Sequence, residues 1–368
     1  MTRLHIADDF SLPAEAVTQT FAILAKRGVG KTYTAAVMVE EMLKAGLHTV
    51  VVDPVGVWWG LRSSADGRHD GLPITVLGGD CGDQPLDADL GEAIADLVAA
   101  HDLSVVLDLS HFRKGEQVRF MTDFAERLYH QNRAPLHLVL DEADAFAPQR
   151  PQRGQERLLG ATEDLVRRGR ARGLGVTLVT QRAAVLNKDV LTQAEVLVAL
   201  RTIAPQDRQA MDAWVKVHGT RTQRAEFLRS LPALPVGTAW FWSPGWLNTF
   251  RRVRVRRRET FDSSATPALG QKLERPRKLA DVDLDQLRRW LAAAVDEPRA
   301  SRRGIAGPEQ PLQPQRVLER IEVAVLTTDH IDQLHQLMAT LRSVAGEIST
   351  ALARVHGPLK GQRATPRN

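Results

Sequence analysis

The sequence predicts an α/β protein: a mainly parallel sheet with helices on both faces, followed by a C-terminal helical extension. Three observations predict it. Short β-branched runs recur along the first two-thirds of the chain, amphipathic helical patterns alternate with them, and several runs are apolar almost throughout. Strands of that last kind are covered on both faces, as in parallel sheets.

The strands are read at 21–25, 48–53, 74–77, 104–108, 136–141, 176–180 and 196–200. A helix at 31–45 follows the first strand and stops at Gly46, a residue suited to the left-handed position past a helix end. A second, at 117–130, puts Val118, Met121, Phe124, Ala125 and Leu128 on one face. A third, at 155–168, does the same with Leu158, Leu159, Leu165 and Val166. Beyond 235 the texture changes, and strands at 237–242 and 250–258 read as a hairpin joined by SPGWLNT. Residues 259–278 are rich in Ser, Thr, Pro and Gly and read as a linker, 283–295 as a short helix, and 298–315 as a second linker. Ile331, Leu334, Met338, Leu341, Ala345, Ile348, Leu352 and Val355 then alternate spacings of three and four. That is a heptad pattern near the minimum length for a coiled coil, or a helix that packs back on the core. The expected organisation is an α/β domain at 1–260, a linker with one helix at 261–315, a helical extension at 316–356 and a disordered tail at 357–368.

Composition bounds the function classes. Of 368 residues 43% are hydrophobic, enough for a sizeable core, and the net charge of +5 leans weakly toward a polyanionic partner. A single cysteine, Cys81, excludes an intrachain disulfide and a cysteine metal cluster and suits a reducing compartment. The N-terminus carries acids where a signal peptide needs a basic and then an apolar stretch, and no apolar run approaches the roughly 18 residues of a membrane span. The expectation is a soluble, cytoplasmic protein with no membrane partner.

The chemistry concentrates in AKRGVGKT, which sits between the first strand and its helix. A loop in that position offers successive backbone N–H groups and a positive dipole end to phosphate oxygens. The cradle is read as Ala25, Lys26, Arg27, Gly28, Val29, Gly30, Lys31, Thr32 and Tyr33. Gly28 and Gly30 let the backbone curl, Lys31 reaches the β- and γ-phosphates, and the Thr32 hydroxyl is placed on Mg²⁺. Ala25 stands where the motif has its first glycine. Two acids follow apolar strands, but only LHLVLDEAD supplies a pair. Asp141 is therefore assigned to the metal, Glu142 to the attacking water, and Asp108 to structure. Gln181 ends the strand at 176–180, where a side-chain amide can sense the γ-phosphate. The run VRRGRARG precedes that strand, and it reads either as cations on a helix C-terminus or as a trans-acting arginine finger, Arg170 first and Arg168 second. The cofactors implied are ATP and Mg²⁺.

This order of parts, with DPVG at 53–56 between the loop and LDEADAFAPQ, and RRGRARGLGVTLVTQR after it, resembles the HerA-like branch of the HerA/FtsK superfamily over roughly residues 15–260. The resemblance implies a RecA-like core with ATP between the subunits of a ring, a homo-hexamer. It also implies translocation along double-stranded DNA, in some cases with a partner nuclease of the NurA type. Three features depart from the pattern: Ala25; Val57, Trp58 and Trp59 after the DPVG turn, where the family often has an acid and an aromatic; and only about twenty residues before the first strand, too few for the β-barrel that often precedes the core. The run FRRVRVRRR, read as a strand, projects Arg252, Arg254, Arg256 and Arg258 from one face, either a track for a phosphate backbone or a face paired with acids. With no zinc-finger or helix-turn-helix signature, DNA binding is expected to be sequence-independent. The alternative is a nucleotide-switched module that regulates a partner effector with little motor activity.

Overall fold

The computed structural model describes residues 2–264 and 276–296. In chain order the elements are β1 (Arg3–Ala7), β2 (Phe10–Pro13), β3 (Thr20–Leu24), α1 (Lys31–Lys44), β4 (Thr49–Asp53), β5 (Thr75–Leu77), α2 (Gly91–Ala100), β6 (Val105–Asp108) and α3 (Lys114–Gln131). They continue as β7 (Leu136–Leu140), α4 (Glu156–Arg168), β8 (Leu174–Thr180), α5 (Lys188–Thr192), β9 (Val196–Ala199), α6 (Pro205–His218), α7 (Arg221–Ser230), β10 (Thr238–Ser243), β11 (Thr249–Arg254) and α8 (Leu284–Asp296).

Nine strands form one sheet in the order β11-β10-β9-β3-β8-β7-β4-β6-β5. The strands from β9 to β5 run parallel, and β10 and β11 add an antiparallel hairpin at one edge. The strands are short and apolar because side chains from both of their faces are buried. In β3, Ala22 and Leu24 enter one core while Phe21 and Ile23 enter the other. The first core lies under α2, α3, α4 and the α6–α7 pair, with Phe120, Phe124 and Trp214 at its heart. The second lies under α1 and the β1–β2 hairpin, and it includes Trp58.

This topology positions the site. β3, β8 and β7 are neighbours with all chains pointing the same way, so the loops leaving their C-terminal ends share one edge of the sheet. β4 and β6 continue that edge with Asp53 and Asp108, paired in register.

The structure corrects three expectations. The residues before β3 hold the β1–β2 hairpin, whose Leu4, Ile6, Phe10 and Leu12 are buried against the second core. The strand expected to run to 258 ends at Arg254, because the chain leaves the sheet there to follow α1. The reading of 259–278 as a linker fails at its start. Glu259 and Thr260 donate their N–H groups to the buried carboxylate of Glu40 on α1, and Thr260 is itself buried. The helix expected at 283–295 is α8; it buries Leu287 against α2 and stacks Trp290 on His101 with ring centroids 4.1 Å apart. The linker at 298–315, the heptads at 331–355 and the tail lie outside the described residues. Among the described residues no helix is long and apolar enough to cross a membrane.

Candidate nucleotide site

The loop from Ala25 to Gly30 leaves β3 and ends at the first turn of α1. Gly28 and Gly30 have φ of +74° and +101°, a region that a side-chain-bearing residue enters only with strain, so the curl of the loop depends on them. Ala25 is buried and its N–H reaches the Thr180 carbonyl at 3.3 Å, while the Lys26 N–H reaches the Arg201 carbonyl at 3.1 Å. These two bonds pin the start of the loop to the ends of β8 and β9. A methyl at Ala25 is accommodated there, and the departure from glycine is structurally silent.

Lys31 opens α1 and reaches across to the end of β7. Its Nζ donates to Glu142 Oε1 at 2.7 Å, to Asp141 Oδ1 at 3.5 Å and to Thr32 Oγ1 at 3.4 Å. Burial opposes the charge on Lys31, but Asp141 and Glu142 beside it hold its pKa above the ordinary lysine value. Thr32 Oγ1 in turn lies 3.3 Å from Asp141 Oδ2. A hydroxyl and a carboxylate side by side are the hard oxygen donors that Mg²⁺ takes from a protein when phosphate oxygens and waters fill its other positions. The residues present therefore fit Mg²⁺. Among the described residues no group of three or more His, Cys, Asp or Glu could hold a metal ion.

Glu142 has φ of +47°, one of two non-glycine residues described in the left-handed region. Such backbone strain is retained where the surroundings impose it, and it turns the Glu142 carboxylate back toward Lys31. The side chain is a quarter exposed, against 2% for Asp141. The more exposed acid is thus the one open to water. Gln181 follows the last residue of β8, on the strand between β3 and β7. Thr180 Oγ1 donates to Asp144 Oδ1 at 2.6 Å, tying the Gln181 end of β8 to the turn after Glu142.

Two neighbours went unread in the sequence. Asp53 ends β4 and accepts four backbone N–H groups, from Val55 and Gly56 on Oδ1 and from Val57 and Trp58 on Oδ2. Burial, with Asp108 and Asp141 close by, pushes its carboxyl up to about 7, against the pull of those donors. The turn it holds brings Trp58 Nε1 to 2.9 Å from Asp141 Oδ2. The only signal was DPVG itself, an acid followed by a tight turn at a strand end. Asp108 ends β6 beside Asp53. It takes the Ser110 N–H at 2.9 Å, and a Cβ at Gly79 would fall 1.9 Å from its Oδ2.

The basic residues divide. Arg168 and Arg170 lie near the start of β8, exposed, with Arg168 3.0 Å from Asp164 and Arg170 3.8 Å from Glu195. The sheet thus separates them from the phosphate loop of their own chain. Of the four arginines read as one face, Arg252 and Arg254 are exposed. Arg256 and Arg258 are not. Arg256 pairs with Glu40 at 2.9 Å and Glu41 at 2.8 Å, and Arg258 is buried between Tyr33, Glu40 and Asp262. The face expected to carry both lies instead against α1. Elsewhere, a cleft of about 610 Å³ beside Asp144 is lined by Lys114, Arg150, Arg182 and Lys188 among others, a basic surface that sequence reading did not assemble.

Comparison with known proteins agrees with this geometry. Residues 9–70 match the family model described as helicase HerA, central domain. The DNA double-strand break repair helicase HerA of Pyrococcus furiosus is 32% identical over 101 residues, which are 27% of this chain and 18% of that protein. Its probable counterpart in Methanocaldococcus jannaschii is 30% identical over 105 residues, 28% of this chain and 19% of that protein. The matched stretch thus spans about a fifth of the length of these relatives. Among solved structures, the plasmid coupling protein TrwB with a non-hydrolysable GTP analogue superimposes with a TM-score of 0.49 at 11% identity, covering 71% of this chain and 91% of that one. Over this N-terminal segment the chain is similar to the central domain of helicase HerA.

Proposed function

We propose that this chain binds ATP with Mg²⁺, hydrolyses it, and uses the cycle to move along double-stranded DNA as a ring of identical subunits. The observation that carries the proposal is the convergence of Lys31, Thr32, Asp141 and Glu142 within hydrogen-bond reach at one edge of a parallel sheet.

Lys31 Nζ lies 2.7 Å from the Glu142 carboxylate. A triphosphate lodged on the N–H groups of residues 26–31 competes for that ammonium with greater charge. Lys31 then turns to the phosphates and Glu142 is released. The freed carboxylate accepts a proton from water as the water oxygen bonds to the γ-phosphorus and the bond to the ADP oxygen breaks. Thr32 and Asp141 would hold Mg²⁺, which when bound would neutralise charge on the phosphate oxygens. Gln181 holds the attacking water through its side-chain amide, and Arg170 or Arg168 of a neighbouring subunit stabilises the transition state.

DNA as the polyanion fits the basic cleft beside Asp144 and the exposed Arg252 and Arg254. These are phosphate-seeking groups with no base-reading motif among them, so binding is sequence-independent and steeply salt-dependent. A homo-hexamer, a cytoplasmic location and a partner nuclease of the NurA type belong to the same proposal.

The test is ATP turnover with and without duplex DNA, alongside the native mass in each state. Glu142→Gln is expected to bind ATP as before and to lose about 10²–10⁴-fold in turnover. Undiminished turnover in that variant removes Glu142 from the chemistry. Turnover indifferent to DNA and responsive only to a protein partner removes the motor.

A further inference from the structure

The turn after β4 ends on an aromatic side chain with an unusual partner. Trp58 is 1% exposed and lies in the second core, yet its indole Nε1 donates to a carboxylate, Asp141 Oδ2, at 2.9 Å. We infer that Trp58 is a positioning residue for Asp141, and that Asp53 holds the turn that aims it.

The argument runs through donors and acceptors. An indole N–H can only donate, and a buried one left without an acceptor is costly. A core position that needed only an aromatic filler would be served by phenylalanine without this requirement. Asp141, also 1% exposed, has two oxygens with separate duties. Oδ1 accepts the Glu142 N–H at 3.0 Å and faces Lys31. Oδ2 accepts the Trp58 N–H and faces the Thr32 hydroxyl, the other metal-binding group. The N–H of Trp58 stabilises the negative carboxylate without bringing a competing positive charge, and the stiff bicyclic ring fixes where that oxygen points.

The turn behind the ring is built to hold it. Four successive N–H groups, from Val55 to Trp58, converge on the Asp53 carboxylate at 2.6–3.0 Å. Gly56 has φ of +82°, and a Cβ there would fall 2.9 Å from Ser110 Oγ, so the turn is confined from below as well. A carboxylate at a strand end thus fixes a turn, the turn fixes a ring, and the ring fixes the carboxylate on the next strand. Outer groups of this kind, when removed, typically weaken metal binding about 10–100-fold.

The inference rests on the nucleotide-site reading, and the experiment separates the two. Mn²⁺ is titrated into the full chain with ADP and followed by electron paramagnetic resonance, while ADP affinity is measured in parallel in chelator. Trp58→Phe removes the N–H and keeps an aromatic ring. A second variant with benzothienylalanine at position 58 keeps the bicyclic shape, with sulfur in place of the N–H, and guards against a packing defect. Both are expected to weaken Mn²⁺ binding at least tenfold, to leave metal-free ADP affinity unchanged, and to raise the Mg²⁺ concentration for half-maximal turnover more than they lower the saturated rate. Wild-type protein that binds neither ADP nor Mn²⁺ would sink the nucleotide site and the inference with it. Wild-type binding matched by both variants would overturn the inference alone.

Discussion

Glu40 is the residue whose loss the structure makes most costly. It lies in the middle of α1 with no exposure, and its carboxylate takes the N–H of Glu259, the N–H and hydroxyl of Thr260, and an ion pair from Arg256 at 2.9 Å, with the Arg258 guanidinium at 3.8 Å. Glu40→Ala removes the acid and leaves Arg258, 3% exposed at its side chain, facing Asp262 alone. Breaking a buried ion pair from one side costs about 3–5 kcal/mol, because the remaining charge is stranded. For a domain of this size that is a fall in Tm of about 10 °C. The cost is capped if the segment at 255–264 peels from α1 and lets water reach the arginines, so melting by circular dichroism is paired with amide exchange at Arg258, Glu259 and Thr260. Both readouts should move: a lower Tm, and protection lost first at those three amides. Replacing Arg256 and Arg258 by Met in the same background should restore much of the loss, since an apolar pair needs no acid. A fall of under about 3 °C with protection intact in the single variant refutes the clamp, because a stranded buried arginine cannot be that cheap.

Two further outcomes follow. His137 is fully buried, with Nδ1 3.0 Å from the Val17 carbonyl and Nε2 2.6 Å from the Thr177 hydroxyl, and burial pushes its pKa down to about 4 from 6.5. The unfolded chain therefore binds the extra proton between those values, and stability held above pH 6.5 drops by about 3 kcal/mol as pH falls toward 4; denaturant melts should show wild type losing stability across that window and His137→Gln, which has no imidazole to titrate, staying flatter. Arg170→Ala should keep nucleotide affinity and lose about 10³-fold or more in turnover, and mixing it with Lys31→Ala subunits should recover part of the rate, whereas no recovery in mixtures argues against a finger acting between subunits.

What could be read from the sequence was what is local. The phosphate loop announces itself because glycines, lysine and threonine must stand at fixed offsets between a strand and a helix. Asp141 and Glu142 announce themselves because an apolar strand ends on two acids. The bond from Trp58 to Asp141 links residues 83 apart and depends on β4 lying beside β7, which no spacing reveals. Arg256 and Arg258 were misplaced for a related reason. Alternation was carried through to 258, but β11 ends at Arg254 and the chain then meets acids that sit on a helix face and look solvated in sequence. The β1–β2 hairpin went unread because its buried Leu4 and Ile6 alternate with Arg3 and His5 over only five residues. Short edges of that kind carry little periodic signal.

The parallel sheet itself bears on how such a site could be completed. β8 carries the arginine cluster before its first residue and Gln181 after its last, and it spans seven residues, about 20 Å at the rise of an extended strand. Register pairs Leu24 with Thr180, so the phosphate loop leaves the sheet level with Gln181 and at the far end from Arg170. Within one chain Gln181 therefore lies at the phosphate-loop end of the sheet, and the arginines are a strand's length away. A finger drawn from this cluster has to enter from another copy, and the two ends of one rigid strand would then face two different nucleotides. Thr180 and Asp144 bind the sensor end of that strand to the turn carrying Glu142. On the proposed function the two ends of this strand would serve two nucleotides, and its pairing with β3 and β7 on either side would tie those ends together.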